Sequence, residues 1–172
     1  SFTFCATANP ILYQKARPIF VDSELDTWNI DPFFIEEAIK DRIKKGTKPK
    51  AIIVVDSYGM PAKWDEIISI SIKYQIPIIE DSAEALGSIY KGRKCGVLGS
   101  FGIFSFNGNK IITTSSGGAL ICSNTSQKLK TISLSTQSNT GEIFYEHSKL
   151  GFNYRISNVL AGIGRGQMKV LQ

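Results

Sequence analysis

Histidine and cysteine are the residues that this sequence has least of among those that bind metals or cross-link chains. It contains one histidine and three cysteines, and the cysteines Cys5, Cys95 and Cys122 are far apart and form no CxxC pair. This pattern indicates neither a disulfide framework nor a zinc site. The single histidine, His147, excludes a metal centre built from several histidines. We therefore expect no metal, and a reducing compartment such as the cytoplasm.

Long hydrophobic runs are also absent, since no segment is apolar over the length that a membrane-spanning helix requires. The start, Ser1-Phe2-Thr3-Phe4, lacks the basic residues and the cleavage pattern of a secretory signal. We therefore expect no membrane partner. The first residue is not Met, and the chain begins within an apolar pattern, so we expect a piece of a longer protein or a processed form.

The charge is moderately basic, at +5 from 20 Lys+Arg and 15 Asp+Glu. Part of this charge is a lysine cluster at a predicted helix end and in the following loop: Lys40, Lys44, Lys45, Lys48 and Lys50. Cations near a helix C-terminus are favoured by the helix dipole. No aromatic residues alternate with the lysines to stack on bases. We predict a solvated helix end and no nucleic-acid partner.

Two short β-branched or apolar runs and two amphipathic segments alternate in the first half of the chain. Ala51–Val55 and Pro77–Asp81 predict buried parallel strands, and Trp64–Tyr74 between them predicts a helix. An earlier helix begins at Asp31-Pro32, where Asp31 can cap free N–H groups. This rhythm predicts an α/β fold with a mostly parallel sheet flanked by helices.

Other segments give weaker patterns. Residues 2–7, rich in Thr, Phe and Ala, predict a strand, and residues 18–22 predict a second one. Residues 100–106 and 118–122 predict an antiparallel pair. Ser157 begins a last helix, which we expect to continue to Gln172. On the inner faces of the two earlier helices we expect Phe34, Ile35, Ala38, Ile39 and Ile43, and Trp64, Ile67, Ile68, Ile72 and Tyr74.

Lys110 follows a strand-like run that ends in Asn-Gly-Asn, and small hydroxylated residues and glycines come after it. By position alone it is most simply a solvated loop lysine, because most lysines are exposed. Upstream, Asp81 lies at the end of a predicted strand, where open α/β sheets bind their ligands. A carboxylate there can be a metal ligand, a cap for the following turn, or a partner for a cationic ring. A metal is the weakest of these, because strand alternation turns the neighbouring Glu80 away.

Together, Lys110 and Asp81 suit a pyridoxal phosphate site. This cofactor needs a lysine for the Schiff base and a carboxylate against the pyridinium nitrogen. The phosphate needs hydroxyl and N–H donors, and Ser105 is available five residues before the lysine. This spacing is consistent with a cofactor site, but it is not specific enough to prove one.

Three ordered motifs carry a resemblance to a known family. They are EDSAEALGS at residues 80–88, FSFNGNKIITTS at residues 104–115 followed by two glycines, and GFNYRISN at residues 151–158. With the opening residues 1–9 and the Asp-Ser-Tyr-Gly loop at residues 56–59, they resemble the DegT/DnrJ/EryC1/StrS family of nucleotide-sugar aminotransferases. The Asn-Gly-Asn-Lys form is most similar to the branch that aminates UDP-linked 4-keto-6-deoxy sugars, as in bacillosamine-type pathways.

The resemblance implies a fold and a set of residue roles. Residues 1–172 would be the central part of the large domain of a type I, aspartate aminotransferase-like fold. The family's glycine-threonine phosphate loop and small C-terminal domain would lie outside them. Lys110 would bind the cofactor and move protons, Asp81 would pair with the ring nitrogen, Glu84 would approach the phenolic oxygen, and Ser105 would bind the phosphate. Asn153 would reach the phosphate in the neighbouring subunit, which implies a homodimer with shared active sites.

Two further residues are less defined, and no substrate-binding residue is assigned. Tyr58 is a candidate for lining the cofactor pocket, and His147 is either a surface residue or a substrate contact. The implied reaction is a ping-pong transfer of an amino group from glutamate to a 4-keto-6-deoxy nucleotide sugar, in bacterial cell-surface glycan biosynthesis. Lys110 argues against the related dehydratases, which carry histidine at that position. The alternative is a non-catalytic α/β binding or regulatory module of the same ancestry, or an inactive fragment.

Overall fold

The computed structural model describes residues 1–171, which form a mixed sheet with helices around it. In chain order the elements are α1 (Cys5–Tyr13), α2 (Pro32–Lys44), β1 (Ile52–Val55), α3 (Trp64–Tyr74), β2 (Ile78–Asp81), β3 (Ile89–Tyr90), β4 (Arg93–Lys94), β5 (Phe101–Ser105), β6 (Gly118–Cys122), α4 (Thr125–Ser135) and α5 (Asn158–Gln167). The main sheet has the order β1-β2-β5-β6, with β1, β2 and β5 parallel and β6 antiparallel to β5. The predicted α/β class and the antiparallel pair are confirmed.

The helices α2 and α3 follow the sequence signals closely. The side chain of Asp31 accepts a hydrogen bond from the Phe33 N–H at 2.8 Å, which caps α2 as predicted. The inner faces are narrower than predicted, because Phe34 and Ile43 are exposed and the side chain of Ile72 is 71% exposed. None of the helices in residues 1–171 has the length and apolar character needed to cross a bilayer.

One hydrophobic cluster joins the sheet to α2 and α3. The side chains of Trp64 and Ile67 from α3 are fully buried in it, and so is Val54 from β1. Its other buried members are Ile35, Ile39, Ile52, Ala62, Ile76, Ile78, Ala85, Cys95 and Leu98. Because this cluster holds β1 and β2 against both helices, the carboxyl ends of the strands have fixed positions.

The short strands β3 and β4 form a hairpin beside the main sheet. Its two strands are antiparallel and are joined by Lys91 and Gly92, both with positive φ (46° and 81°). Two residues of positive φ match the twist of a tight hairpin.

Three predictions, two before α2 and one for the last helix, are wrong. Residues 2–7 form no strand, because helix α1 begins at Cys5, and its alanines favour a helix. Residues 18–22 form no strand either, since no neighbouring strand within residues 1–171 supplies hydrogen bonds to them. Helix α5 is capped by Ser157 as predicted but ends at Gln167, and Gln172 lies outside the described residues.

Candidate active site

The site lies at the carboxyl ends of two adjacent parallel strands. Asp81 is the last residue of β2 and Ser105 is the last residue of β5, and Asp81 pairs in register with Ile103. The two side chains that the sequence assigned to the ring nitrogen and the phosphate therefore lie at one edge of the sheet. This is the edge at which open α/β sheets bind ligands.

Both oxygens of the Asp81 carboxylate have hydrogen-bond donors from the protein. Oδ1 accepts from the Ala83 N–H at 3.2 Å, and Oδ2 accepts from the Thr7 hydroxyl at 2.7 Å. The segment after Asp81 is a turn and not a helix. Asp81 therefore caps no helix in residues 1–171, and its only bond to this turn is the one from the Ala83 N–H. The carboxylate is held in one orientation at the strand end.

Glu80 points away from this site, as strand alternation predicts. Its buried carboxylate accepts hydrogen bonds from the Ser82 hydroxyl at 3.0 Å, the Leu98 N–H at 2.7 Å and the Gly99 N–H at 3.2 Å, and also from the Gly96 N–H. Glu80 thus binds the loop that leads into β5. Glu80 supports the site by holding this loop against β2.

Lys110 and Glu84 form an ion pair. The distance from Lys110 Nζ to Glu84 Oε1 is 3.2 Å, and only 16% of the lysine side chain is exposed. Lys110 follows the turn after β5, and Glu84 lies in the turn after β2. Because Lys110 is largely buried and has a specific partner, it is not a solvated loop lysine.

Tyr58 holds the second oxygen of Glu84 through its backbone. Its N–H donates to Glu84 Oε2 at 2.8 Å. Tyr58 has φ +52°, which is unfavourable for an aromatic residue, and its side chain is 81% exposed. The predicted contact of this ring with a cofactor remains a prediction.

Gly59 allows the Tyr58 turn to approach Glu84 closely. Its φ is +82°, and a Cβ there would lie 3.1 Å from the backbone oxygen of Glu84. The Ser88 hydroxyl also donates to the Gly59 carbonyl at 2.7 Å. Two loops that are distant in sequence are therefore fixed against each other beside Lys110.

Ser105 has a hydroxyl proton that no protein group in residues 1–171 accepts. Its Oγ accepts from the Asn107 N–H at 3.3 Å. The next turn is held locally, because the Lys110 N–H donates to the Asn107 carbonyl at 3.0 Å. A hydroxyl that still has its proton to donate, at a strand end, suits an anionic oxygen.

A second carboxyl, Asp56, is buried on the supporting side of the site. Its Oδ1 accepts from the Ala62 N–H at 2.9 Å and from the Trp64 indole at 3.0 Å. Burial raises the pKa of Asp56 to about 6, helped by the nearby Glu80 carboxyl and opposed by these hydrogen bonds. Burial likewise raises the pKa of the neighbouring Cys95 thiol to about 12.

The ligand atoms of Asp56, Glu80 and Cys95 lie within 4.8 Å of one another. Protein donors already bind oxygens of both carboxyl groups. In the described part of the chain, no buried side-chain polar atom lacks a hydrogen-bond partner. We therefore interpret this group as a support for the loops and assign it no ion.

Two candidate residues lie apart from Lys110. Asn153 is exposed and its backbone forms an isolated bridge with Thr136. The exposed His147 has its Nδ1 2.9 Å from the Gln137 carbonyl. This contact favours a surface role for His147 over a substrate contact.

The sequence interpretation missed Thr7 and the backbone of Tyr58. Thr3 and Thr7 are four residues apart, which is the spacing of neighbours on a helix face. The strand that the composition of residues 2–7 predicts hides this signal. The contact of the Tyr58 N–H leaves no signal in the sequence.

The donors at this sheet edge fit pyridoxal phosphate. They are a largely buried lysine amine, a carboxylate held at the end of a strand, and a hydroxyl with a proton to donate on the adjacent strand. Together with the sheet topology, they match the class of pyridoxal phosphate-binding proteins of fold type I. A sequence model of the DegT/DnrJ/EryC1/StrS aminotransferase family matches residues 1–172. The chain belongs to this family, whose aminotransferases depend on pyridoxal phosphate.

Two relatives show how the chain compares with longer proteins. EpsN of Bacillus subtilis (strain 168), provisionally named a pyridoxal phosphate-dependent aminotransferase, is 54% identical over 99% of this chain and 44% of its own length. The UDP-4-amino-4,6-dideoxy-N-acetyl-beta-L-altrosamine transaminase of Campylobacter jejuni (strain 81-176) is 39% identical over 98% of this chain and 44% of its own length. The chain thus spans less than half the length of these relatives.

Solved structures support the same fold. A DegT DnrJ EryC1 StrS aminotransferase from Brucella abortus has a TM-score of 0.93 and 32% identity, covering 98% of this chain and 46% of that one. The provisionally named sugar aminotransferase Spr1654 from Streptococcus pneumoniae was solved in a PLP form, with a TM-score of 0.86, 27% identity, and coverage of 97% and 46%. The same protein was also solved in a PMP form.

Proposed function

We propose that the full-length protein transfers an amino group from glutamate to a 4-keto-6-deoxy nucleotide sugar. The observation that carries this proposal is the 3.2 Å ion pair between the largely buried Lys110 and Glu84, at the same sheet edge as Asp81. The Campylobacter relative is named for a 4-amino-6-deoxy sugar on UDP, which supports the substrate class. Residues 1–172 would then be part of the large domain, acting in cell-surface glycan biosynthesis in a bacterial cytoplasm.

The residues divide the work by position. When bound, pyridoxal phosphate supplies an aldehyde that exchanges with amines and a ring that accepts electrons from a breaking C–H bond. Asp81 would orient the ring through its nitrogen, and Ser105 would donate its hydroxyl proton to the phosphate. Both groups lie on rigid strand ends, which favours precise placement.

Lys110 would hold the cofactor, remove the proton from the amino-acid Cα in the first half-reaction, and protonate the sugar carbon in the second. Its Nζ is oriented by Glu84 Oε1, while the Tyr58 N–H fixes the other oxygen of Glu84. Because the lysine is largely buried, water has little access to the amine. Glu84 would also approach the phenolic oxygen.

We further propose a homodimer in which Asn153 contributes to the neighbouring site. Asn153 is exposed between Phe152 and Tyr154. The exposed rings of these two residues are stacked, with their centroids 4.9 Å apart. Exposed aromatic pairs are common at subunit interfaces. Sedimentation equilibrium of the full-length protein tests this proposal, and a monomer with full activity at assay concentration would contradict it.

The function is tested by reducing the full-length protein with borohydride in the presence of pyridoxal phosphate and mapping the labelled lysine. We expect the label on Lys110 and its loss in Lys110→Ala. Removal of the proton-transferring amine should lower kcat by about 10²–10⁴-fold or more. Product formation from glutamate and a UDP-linked 4-keto sugar is followed by mass spectrometry.

The matched control is Lys94→Ala, because Lys94 is exposed on the β4 hairpin. This variant should keep both the label and the activity. Label spread over surface lysines, unchanged by Lys110→Ala, would instead indicate a non-catalytic binding module.

A further inference from the structure

Thr7 joins the first helix to the strand end that carries Asp81. Its hydroxyl donates to Asp81 Oδ2 at 2.7 Å, across 74 residues of sequence. The Thr3 and Thr7 hydroxyl oxygens lie 2.8 Å apart. The three side chains therefore form one line of hydrogen bonds that ends at the carboxylate.

The direction of this line follows from counting protons. A hydroxyl has one proton to donate and two lone pairs that accept. Since Thr7 gives its proton to Asp81, the bond between the two hydroxyls must be donated by Thr3 to Thr7. Hydrogen bonds in such a chain polarise one another, so Thr3 strengthens the bond that Thr7 makes.

This contact is not needed to bury helix α1. No residue of α1 is buried in residues 1–171, so the hydroxyl adds little to a hydrophobic core. Its effect falls on the carboxylate instead. The Ala83 N–H holds Oδ1 at 3.2 Å and Thr7 holds Oδ2, so the plane of the carboxylate cannot rotate without losing both bonds.

We propose that Thr7 is a positioning residue that fixes the Asp81 carboxylate for the cofactor ring, with Thr3 supporting it. The inference rests on the proposed function, because Asp81 needs this orientation only if it faces a ring nitrogen. Thr7→Val keeps the side-chain shape and removes the donor. Thr7→Ser restores a donor, and Thr3→Val removes only the supporting hydroxyl.

The test uses the full-length protein, stripped of cofactor and titrated with pyridoxal phosphate by absorbance and intrinsic fluorescence. We expect Thr7→Val to weaken binding by about tenfold or more, as for a lost hydrogen bond to a charged group. Thr7→Ser should stay within about threefold of the original protein, and Thr3→Val should fall between them. The melting temperature of the cofactor-free protein should change little among the four proteins because, in the part of the chain that the structure describes, α1 has no buried residue and can lose this bond without opening the core.

Two results would overturn the inference while leaving the proposed function intact. One is unchanged cofactor affinity in Thr7→Val. The other is a drop in the melting temperature of the cofactor-free Thr7→Val protein that accounts for its weaker binding, which would make Thr7 only a tether for α1. If the original protein takes up no pyridoxal phosphate at all, the proposed function fails and this inference fails with it.

Discussion

At the scale of single residues, the charged side chains of the site are held in position by specific partners. Lys110 has a carboxylate at 3.2 Å, and that carboxylate is held by the Tyr58 N–H at 2.8 Å. The aromatic residue at φ +52° aims this N–H, and strain of this kind is typical of functional sites. Position in the sequence alone could not separate this lysine from a solvated one.

Glu84→Gln tests the charge of this pair without changing its shape. The amide oxygen can still accept from Tyr58, but the negative charge beside Lys110 is lost. We expect kcat to fall by about tenfold, which corresponds to about 1.4 kcal/mol of transition-state stabilisation. The free energy of unfolding should change by less than about 1 kcal/mol, because the pair is partly exposed.

Steady-state kinetics and urea unfolding of the full-length protein measure both quantities. Glu66→Gln, on the exposed face of α3, is the control and should change neither. A Glu84→Gln variant with the original kcat would show that the charge has no role in the reaction.

At the scale of elements, β5 depends on the loop before it. Gly96 lies so close to Gly102 that a Cβ at Gly102 would be 1.9 Å from the Gly96 carbonyl oxygen. Glu80 accepts hydrogen bonds from three N–H groups of the same loop. The loop, β2 and β5 are thus a rigid unit, and Ser105 at the end of β5 takes its position from it.

Gly102→Ala should therefore destabilise the protein severely. Neither backbone in this contact can move away, so we expect a loss of about 3 kcal/mol or more, or failure to fold. Gly108→Ala is the matched control beside Lys110, because no atom lies within 4 Å of a Cβ there. Soluble yield and urea unfolding compare the two variants, and similar stability in both would contradict this account of β5.

At the scale of the whole molecule, stability depends on two kinds of carboxyl group. Burial alone would raise the pKa of Glu24, but hydrogen bonds from Thr27, Lys63 and the Asp26 N–H outweigh it and lower the pKa to about 2. Glu24 therefore stabilises the fold above its usual pKa of 4.5, and this stabilisation is lost as the pH falls towards 2. The buried Asp56 has the opposite effect on stability, because its pKa is raised and not lowered.

Asp56 makes the fold less stable as the pH rises from about 4 to about 6. Its folded pKa of about 6 lies above the ordinary 3.8, so the folded state binds the proton more tightly than the unfolded state. One such group changes stability by up to about 1.4 kcal/mol per pH unit in this window. Asp56→Asn keeps an acceptor for Ala62 and Trp64, and we expect it to remove this slope.

Urea unfolding at pH values from 3.5 to about 7.5 measures the effect in both proteins. Asp22→Asn, at an exposed position near the chain start, is the control and should keep the original slope. The same decline in stability in Asp56→Asn would assign it to another group.

The local elements could be predicted because their signals are local. The Asp31-Pro32 cap, the β-branched run of β1 and the spacing of Trp64 and Ile67 each act within a few residues. They identified α2, β1 and α3 close to their observed bounds. The motifs around Asp81, Lys110 and Asn153 identified the family for the same reason, since a motif is a contiguous string.

The sequence by itself determined the α/β class, the strand ends that carry Asp81 and Ser105, and the family. Only the tertiary structure decided that α1 is a helix, that Thr7 bonds to Asp81, and that the Tyr58 N–H orients the partner of Lys110. The physical reason is the large sequence separation of these contacts. Hydrogen bonds between residues 26 to 74 positions apart depend on how the sheet brings loops together, and no local periodicity or propensity encodes that distance.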